Sequence, residues 1–393
     1  MSVQQFLREN AIFGQLDRAG YSVADLMPVF PGDTLNEVIQ RLRDNALRYR
    51  RTVERFGYLG TRECTSRYFN VWSGRFRRSL NSHTPAESSS SVIHCYGGST
   101  TSGHNVGDEE TFPHYLEIEL LKTFKSLTVL NFGAGNHTSL HASLCLLDHC
   151  LSGVVPRVAI MLHGVNDVIY ADSGGDGALP FLDKALMLSQ HSPGNQTPIG
   201  ELSSLIPKRD VANPHLDNAG DSNFLAFMRE QISETISVAN AISEFCASRW
   251  GVEVIRFWEP TPFLHCRPEQ DPFPRLRQGD STYLKAEAMF RNIHDFGLAN
   301  SLGLHNYKDL SDCGQSNLDG ALFVDQLHYS PLMNRHIATN VAASIKEAFA
   351  PVQVDFPRGG QRLSLREFGS SRKRMRLRAT SGSSSESNLY PLW

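Results

Sequence analysis

The sequence predicts an α/β fold, a three-layer α/β/α domain around a central, mostly parallel five-stranded sheet. Five short apolar runs, several rich in β-branched residues, alternate with longer segments of helical periodicity. The runs read as strands buried on both faces, which is typical of parallel sheets covered by helices. The candidate strands are 91–96, 127–132, 156–163, 252–258 and 321–325. The candidate helices are about 112–125, 138–152, 224–249, 280–297 and 331–349.

Residues 1–85 are predicted to form a helical N-terminal extension that ends in a linker. The segment DTLNEVIQRLRDNALRYRR begins with a capping signal at Asp33 or Thr34, and its apolar residues follow near helical spacing. The serine-rich stretch Asn81–Ser90 has the composition of a linker.

Residues 86–352 carry the alternation of strands and helices and are predicted to be the main domain. A loop-rich insertion at 169–222 interrupts it, and such insertions either cover and shape a site or remain surface loops. Residues 353–393 are predicted to be a disordered basic and serine-rich tail. The basic run Ser371–Arg378 is interpreted as solvated, with nuclear targeting or an acidic-surface anchor as the alternatives.

Composition argues against several classes of protein. The net charge of -3 predicts no nucleic-acid partner. The N-terminus MSVQQFLREN lacks the features of a secretory signal, and no apolar run reaches the ~20 residues of a membrane helix, so a cytoplasmic location is expected. The 7 cysteines are scattered and form no CxxC pair, which predicts free thiols rather than disulfides or a cysteine zinc site.

The first candidate strand ends in a tight glycine-rich turn, Gly97-Gly98-Ser99-Thr100. The turn lacks the lysine of a P-loop and the spacing of a dinucleotide-binding GxGxxG, so it is either a simple turn or one that exposes a serine. The following helix is predicted to begin near Thr111, with Pro113 in its first turn.

Other strand ends supply the remaining groups that acyl transfer needs. In an open parallel sheet, sites form beyond the carboxyl ends of the strands. The second, third and fifth candidate strands end in NFGAGNHTS, LHGVNDV and FVDQLHYSP. A serine needs a base to take its proton, a carboxylate to orient that base, and N–H donors to stabilise the oxyanion. The strand ends offer a serine, a glycine-rich loop, an asparagine and an Asp-x-x-His pair.

These four segments resemble, in order, the four sequence blocks of the SGNH (GDSL-type) hydrolase family. The flanking segments FNVWSGRFRR and FWEPTPFL are also similar, and the resemblance covers roughly residues 67–350. It implies the flavodoxin-like SGNH hydrolase fold, with Ser99 as nucleophile, His328 as base and Asp325 as the residue that orients the base. It also implies that the Asn166 side chain stabilises the oxyanion.

The resemblance further implies that two backbone N–H groups join Asn166 in the oxyanion hole. One belongs to Ser99 and the other to the second block, which in the family reads N-x-G-x-x-G. Here Asn136 stands at the last glycine position and Gly135 lies one residue earlier, so both remain candidates. Asparagine tolerates a left-handed backbone better than most residues do. The chain also has SPLMNRHIA where the family often has glycine soon after its histidine.

Three further motifs have simpler interpretations. His163 and Asp167 beside the third block are interpreted as packing or capping residues. His141, Cys145 and His149 share one helical face, with Cys150 beside them. That face is expected to pack on the sheet, so no metal site is predicted.

The favoured function is hydrolysis of a small-molecule or carbohydrate ester by a Ser-His-Asp triad without a cofactor or metal. One alternative is transfer of the acyl group to a hydroxyl acceptor at the same site, which the 169–222 insertion would favour by excluding water. Another is a non-catalytic binding module with this fold. The motifs do not specify the ester, the acyl chain or the oligomeric state.

Overall fold

The computed structural model describes residues 19–49, 51–56, 58–72, 76–80, 92–124, 126–171, 222–264, 266–267, 270–271, 273, 287–292, 307–312, 318–325 and 327–348. All of them belong to the unit Met1–Phe349, and the second unit is Ala350–Trp393. The predicted linker, the predicted tail, nearly all of the 169–222 insertion and most of candidate helix 280–297 lie outside the described residues.

From β3 to β6, the described strands are separated by helices, as the sequence predicts. The helices are α1 Leu35–Asn45, α2 Ser99–Ser102, α3 Phe112–Leu121, α4 Ser139–Leu151, α5 Val165–Ala171, α6 Ser222–Trp250 and α7 Pro331–Ala348. The strands are β1 Arg51–Val53, β2 Leu59–Thr61, β3 Val92–Gly97, β4 Thr128–Asn131, β5 Val158–His163, β6 Glu253–Trp258 and β7 Tyr307–Asp309.

Strands β3 to β7 form a five-stranded sheet in the order β4-β3-β5-β6-β7. Every neighbouring pair in this sheet is parallel. The order is that of flavodoxin-like sheets. The second strand lies on one side of the first, and the third, fourth and fifth follow on its other side. The first and third strands are β3 and β5, so the carboxyl ends that carry Ser99 and Asn166 lie side by side.

Helices cover both faces of the sheet, which confirms the predicted three layers. On β3, Ile93 and Cys95 pack into the core with Phe112 of α3, and the same core includes Met333 of α7. Tyr96 points to the opposite face, where α4 and α6 lie. Because successive side chains of a strand point to opposite faces, a run that is buried on both faces is mostly apolar.

The fifth strand is not the one that the apolar pattern predicts. Residues 321–325 are buried, but their backbone pairs with the segment that follows: Val324 N–H donates to His328 O at 2.8 Å, and Ser330 N–H donates to Leu322 O at 2.9 Å. The fifth position is taken by β7, a short edge strand whose side chains are exposed or half-buried. An edge strand that buries so little needs no apolar run, so hydrophobic patterning does not detect it.

The described part of the N-terminal region contains a 3-10 helix at Val23–Val29, then the predicted helix α1, and then an unpredicted hairpin. Thr34 caps α1, since its Oγ1 accepts a hydrogen bond from Glu37 N–H and its own N–H donates to Glu37 Oε2 at 2.9 Å. A 3-10 turn at Ala46–Tyr49 ends this helical region, and β1 then pairs with β2 in an antiparallel hairpin. In the described part of the chain, no helix is long and apolar enough to span a bilayer.

Candidate active site

Ser99 is the first residue of α2 and stands directly beyond the end of β3. The turn before it is too tight for side chains. A Cβ on Gly97 would contact the carbonyl oxygen of Leu162, and a Cβ on Gly98 would lie 2.5 Å from Asn166 Nδ2. Glycine at both positions therefore lets the turn lie against β5 and the Asn166 loop. The following helix α3 has Thr111 as its N-cap and Pro113 in its first turn, as predicted.

Asp325 and His328 form a buried hydrogen-bonded pair. His328 Nδ1 lies 2.7 Å from Asp325 Oδ2, and Asp325 Oδ1 accepts hydrogen bonds from the N–H groups of Leu327 at 2.8 Å and His328 at 2.9 Å. Burial by itself raises the pKa of Asp325, but the His328 ring and these donors outweigh it and lower that pKa from its ordinary value. An ionised Asp325 holds the His328 proton on Nδ1, so Nε2 is the nitrogen able to accept one.

The loop after α2 connects Ser99 to this pair. His104 N–H donates to the carbonyl oxygen of Ser99 at 3.0 Å, and the His104 ring lies 5.0 Å from the His328 ring between centroids. Asn105 Nδ2 donates to Asp325 Oδ2 at 2.6 Å. The structure thus brings the serine and the Asp-His pair, which are far apart in the sequence, to one edge of the sheet.

The end of α1 supports Asn105 from the other side. Asn105 has a left-handed backbone, with φ at 67°, and its N–H donates to Asn45 Oδ1 at 3.0 Å. Its Oδ1 accepts a hydrogen bond from Arg48 at 3.2 Å, and the Arg48 side chain is fully buried. The N-terminal region therefore orients the amide that contacts Asp325. Sequence reasoning missed Asn105. The one local feature that could have indicated it is its position shortly after the turn that carries Ser99.

Asn166 and the second block lie on the other side of Ser99. Asn166 Nδ2, the atom next to Gly98, donates to His137 O at 2.8 Å. His137 N–H closes a turn by donating to Ala134 O at 3.3 Å. Within that turn Asn136 is exposed and adopts a left-handed φ of 68°, whereas Gly135 is buried. The structure thus places the second-block turn and the Asn166 amide beside the turn that precedes Ser99.

Asp167 and His163 have structural roles. Asp167 caps the start of α4: its carboxylate accepts hydrogen bonds from Ser139 N–H at 3.0 Å and Ser139 Oγ at 2.6 Å. Burial raises the pKa of Asp167 to about 6, and the Ser139 donors oppose that rise. His163 ends β5, and its carbonyl oxygen accepts the N–H of Glu259 at 2.8 Å. Burial lowers the pKa of His163 to about 3, so its ring is neutral.

Asp167→Asn is expected to remove part of the pH dependence of stability. The native pKa of about 6 exceeds the unfolded value of about 3.9. The stabilisation from binding this proton is therefore complete below the unfolded pKa and is lost as the pH rises through the native one. The free energy of unfolding, measured by urea titration, should favour the variant over wild type more strongly at pH 7 than at pH 4. A pH-independent difference would contradict this, and Glu244→Gln, at a side chain 59% exposed, is the control.

The two histidines of the α4 motif are engaged in hydrogen bonds. Tyr96 Oη lies 2.8 Å from His149 Nδ1, and His141 Nδ1 lies 2.9 Å from Thr138 Oγ1. Burial lowers the pKa of both histidines to about 4 and raises that of Cys145 to about 12. Among the described residues, no group of three or more His, Cys, Asp or Glu side chains could hold a metal ion.

Comparison with known proteins yields structural matches alone. The chain matches no protein-family model and no curated protein sequence. One similar structure is a lipolytic protein of the G-D-S-L family from Veillonella parvula, with 13% identity and a TM-score of 0.33, covering 65% of this chain and 98% of that one. Another is the lipase/acylhydrolase from Enterococcus faecalis, with 14% identity and a TM-score of 0.33, covering 66% of this chain and 96% of that one.

A third similar structure is a catalytic mutant of an acetylxylan esterase from Geobacillus stearothermophilus. Its identity is 16% and its TM-score 0.30, and the match covers 66% of this chain and 94% of that one. Identities and TM-scores of this size do not transfer an activity, so what this chain does must be inferred from its own residues. The solved structures that it resembles include GDSL lipolytic proteins and acetylxylan esterases.

Proposed function

We propose that this protein is an SGNH-type serine hydrolase that cleaves a carboxylic ester. Ser99 attacks the ester carbonyl, and His328 Nε2 takes the serine proton and delivers it to the leaving alcohol. Asp325 orients the imidazole and stabilises its charged form. Water then attacks the acyl-enzyme with His328 again as base, which releases the acid and restores Ser99. The scheme uses neither a metal nor an organic cofactor.

The observation that carries this proposal is the buried Asp325–His328 pair beside the nucleophile turn. A 2.7 Å bond between them, with Asp325 1% exposed and its pKa lowered, is what an orienting carboxylate requires. A capping aspartate with a surface histidine would need no such burial. Asn105 adds a further hydrogen bond to the same carboxylate oxygen, at 2.6 Å.

Three donors are proposed to stabilise the tetrahedral intermediate. They are the N–H of Ser99, a second-block N–H from Asn136 or Gly135, and Nδ2 of Asn166. The contact between Asn166 Nδ2 and the Gly98 position supports this assignment, because it sets the amide next to the residue before Ser99. Asn166 Nδ2 carries two hydrogens, so one remains for the oxyanion when the other binds His137 O.

Hydrolysis of model esters tests the proposal. Wild type should release p-nitrophenolate from p-nitrophenyl acetate, and a panel of longer acyl chains and acetylated xylo-oligosaccharides would then define the substrate class. Asn166→Ala should lower kcat by about 100- to 1000-fold. A folded wild type that turns over no ester in the panel, with no reaction at Ser99, would support a binding module instead.

Water is expected to be the acceptor. In methanol–water mixtures containing p-nitrophenyl acetate, acetate should form in proportion to the water present, with no excess of methyl acetate. Chromatography of both products after full conversion measures this partition. A methyl acetate yield well above the methanol fraction would contradict hydrolysis and favour transfer to a hydroxyl acceptor.

A further inference from the structure

One buried carboxyl group contacts the chain neighbours of two proposed catalytic residues. Glu259 directly follows β6 and is 2% exposed. Its Oε1 accepts a hydrogen bond of 2.7 Å from the N–H of Val165, the residue before Asn166. Its Oε2 accepts one of 2.6 Å from Oγ1 of Thr100, the residue after Ser99.

The same carboxyl group also reaches the histidine loop. Tyr329, the residue after His328, has its Oη 3.2 Å from Glu259 Oε2 and 2.7 Å from Pro260 O. The Glu259 N–H continues the sheet by donating to His163 O at 2.8 Å. Glu259 is thus anchored on β5 and joins α2, the start of α5 and the segment before α7.

We propose that Glu259 is a positioning residue that sets the mutual geometry of Ser99, Asn166 and His328; the proposal rests on the proposed function of those three residues. Each contact is made to an adjacent residue rather than to the reacting group. A shift of the carboxyl group would therefore move the nucleophile, the oxyanion donor and the base relative to one another. Small displacements of this kind are costly in catalysis.

The donor and acceptor pattern explains why an acidic side chain suits this position. Val165 N–H can only donate, so Oε1 must accept, whereas the Thr100 and Tyr329 hydroxyls each donate or accept. Both the ionised and the neutral carboxyl group satisfy this pattern. Burial raises the pKa of Glu259 to about 7, and Asp167 adds to the rise while Thr100, Val165 and Tyr329 oppose it. Glu259 therefore supplies hydrogen bonds in either state.

Comparing kcat in Glu259→Gln and Glu259→Leu distinguishes a role of the hydrogen bonds from a role of the charge. Glu259→Gln keeps an acceptor for Val165 and gains N–H donors for the two hydroxyls, so kcat should stay close to wild type. Glu259→Leu removes the acceptor of Val165 N–H and Thr100 Oγ1 and leaves the Tyr329 hydroxyl with Pro260 O, and kcat should fall by about 100-fold. KM for p-nitrophenyl acetate should change little, because none of the three contacts is made to the substrate.

Ser243→Ala is the matched control for stability. Ser243 is buried on α6 and accepts a hydrogen bond of 2.6 Å from Arg256, away from the site. Ser243→Ala should lower the melting temperature without lowering kcat. Should Glu259→Leu fail to fold, Thr100→Val removes one contact at nearly constant volume and should lower kcat with little change in KM.

Two results would overturn the proposal. One is an unchanged kcat in folded Glu259→Leu or, failing that variant, in Thr100→Val. The other is a Glu259→Gln as impaired as Glu259→Leu, which would mean that the charge is what matters. If wild type turns over ester and Ser99→Ala does not, either result removes only the role of Glu259. No turnover by wild type would remove the proposed function together with that role.

Discussion

Ser99→Ala is expected to lower kcat/KM for p-nitrophenyl acetate by at least about 10⁴-fold. Without the hydroxyl no acyl-enzyme forms, and the Asp325–His328 pair has no nucleophile to deprotonate. The fold should be unaffected, because the Ser99 backbone, not its side chain, accepts the N–H of His104. Turnover rates and circular dichroism of matched samples measure the two effects.

Ser102→Ala is the control for this experiment. Ser102 is the last residue of the same short helix α2, and its carbonyl oxygen, which the substitution keeps, accepts a hydrogen bond from Arg77. Turnover in this variant should remain close to wild type. Full activity in Ser99→Ala, with wild-type circular dichroism, would show that another residue is the nucleophile.

Arg77→Met is expected to lower the free energy of unfolding by about 3–5 kcal/mol. The Arg77 guanidinium is buried and pairs with Asp108 at 2.8 Å. It also donates to the carbonyl oxygens of Tyr68, Ser102, Gly103 and Val106. Methionine would remove all of these hydrogen bonds and leave the buried Asp108 carboxylate without its guanidinium partner. Because the acceptors lie in and around the loop that carries His104 and Asn105, activity should fall as well.

The exposed Arg67 is the matched control for Arg77. Arg67 is 62% exposed and pairs with Glu37 at 3.0 Å, so Arg67→Met should cost less than about 1 kcal/mol. Arg77→Lys should not rescue the Met variant, since a single ammonium group cannot reach acceptors spread around a planar guanidinium. Urea unfolding and ester turnover give both readouts. Equal stabilities of the Arg77 and Arg67 variants would contradict the structural role assigned to Arg77.

Much of the fold follows from the sequence because burial on both faces imposes a local pattern. β3, β4, β5 and β6 are mostly apolar, with His94 and Arg256 as buried polar exceptions, and glycine-rich segments follow β3, β4 and β5 where the chain leaves the sheet. The edge strand β7 and the hairpin β1–β2 leave no such pattern. The prediction of a strand at 321–325 is wrong because this apolar segment is a largely buried loop that pairs with residues 328–330.

Part of the candidate site can likewise be predicted from the sequence, and part of it cannot. Ser99 and Asn166 stand in recognisable short motifs just beyond β3 and β5, and Asp325 and His328 form a hydrogen-bonded pair in a recognisable motif just before α7. Asn105 lies in no recognised motif, and Glu259 lies in FWEPTPFL, a segment whose resemblance assigned it no role. Asn105 meets Asp325 across 220 positions, and Glu259 meets Thr100 across 159. Contacts at such separations depend on how the strands are ordered, which no local pattern in one sequence reveals.

Covalent trapping of Ser99 is the most direct test of its assignment as the nucleophile. Wild type would be treated with a fluorophosphonate, in which a serine oxygen displaces fluoride from phosphorus, and the labelled peptide would be identified by mass spectrometry. The proposed mechanism predicts a single adduct on Ser99, no adduct in Ser99→Ala and much slower labelling in His328→Ala. A folded wild type that is labelled at another residue, or not at all, would contradict the assignment of Ser99 as the nucleophile.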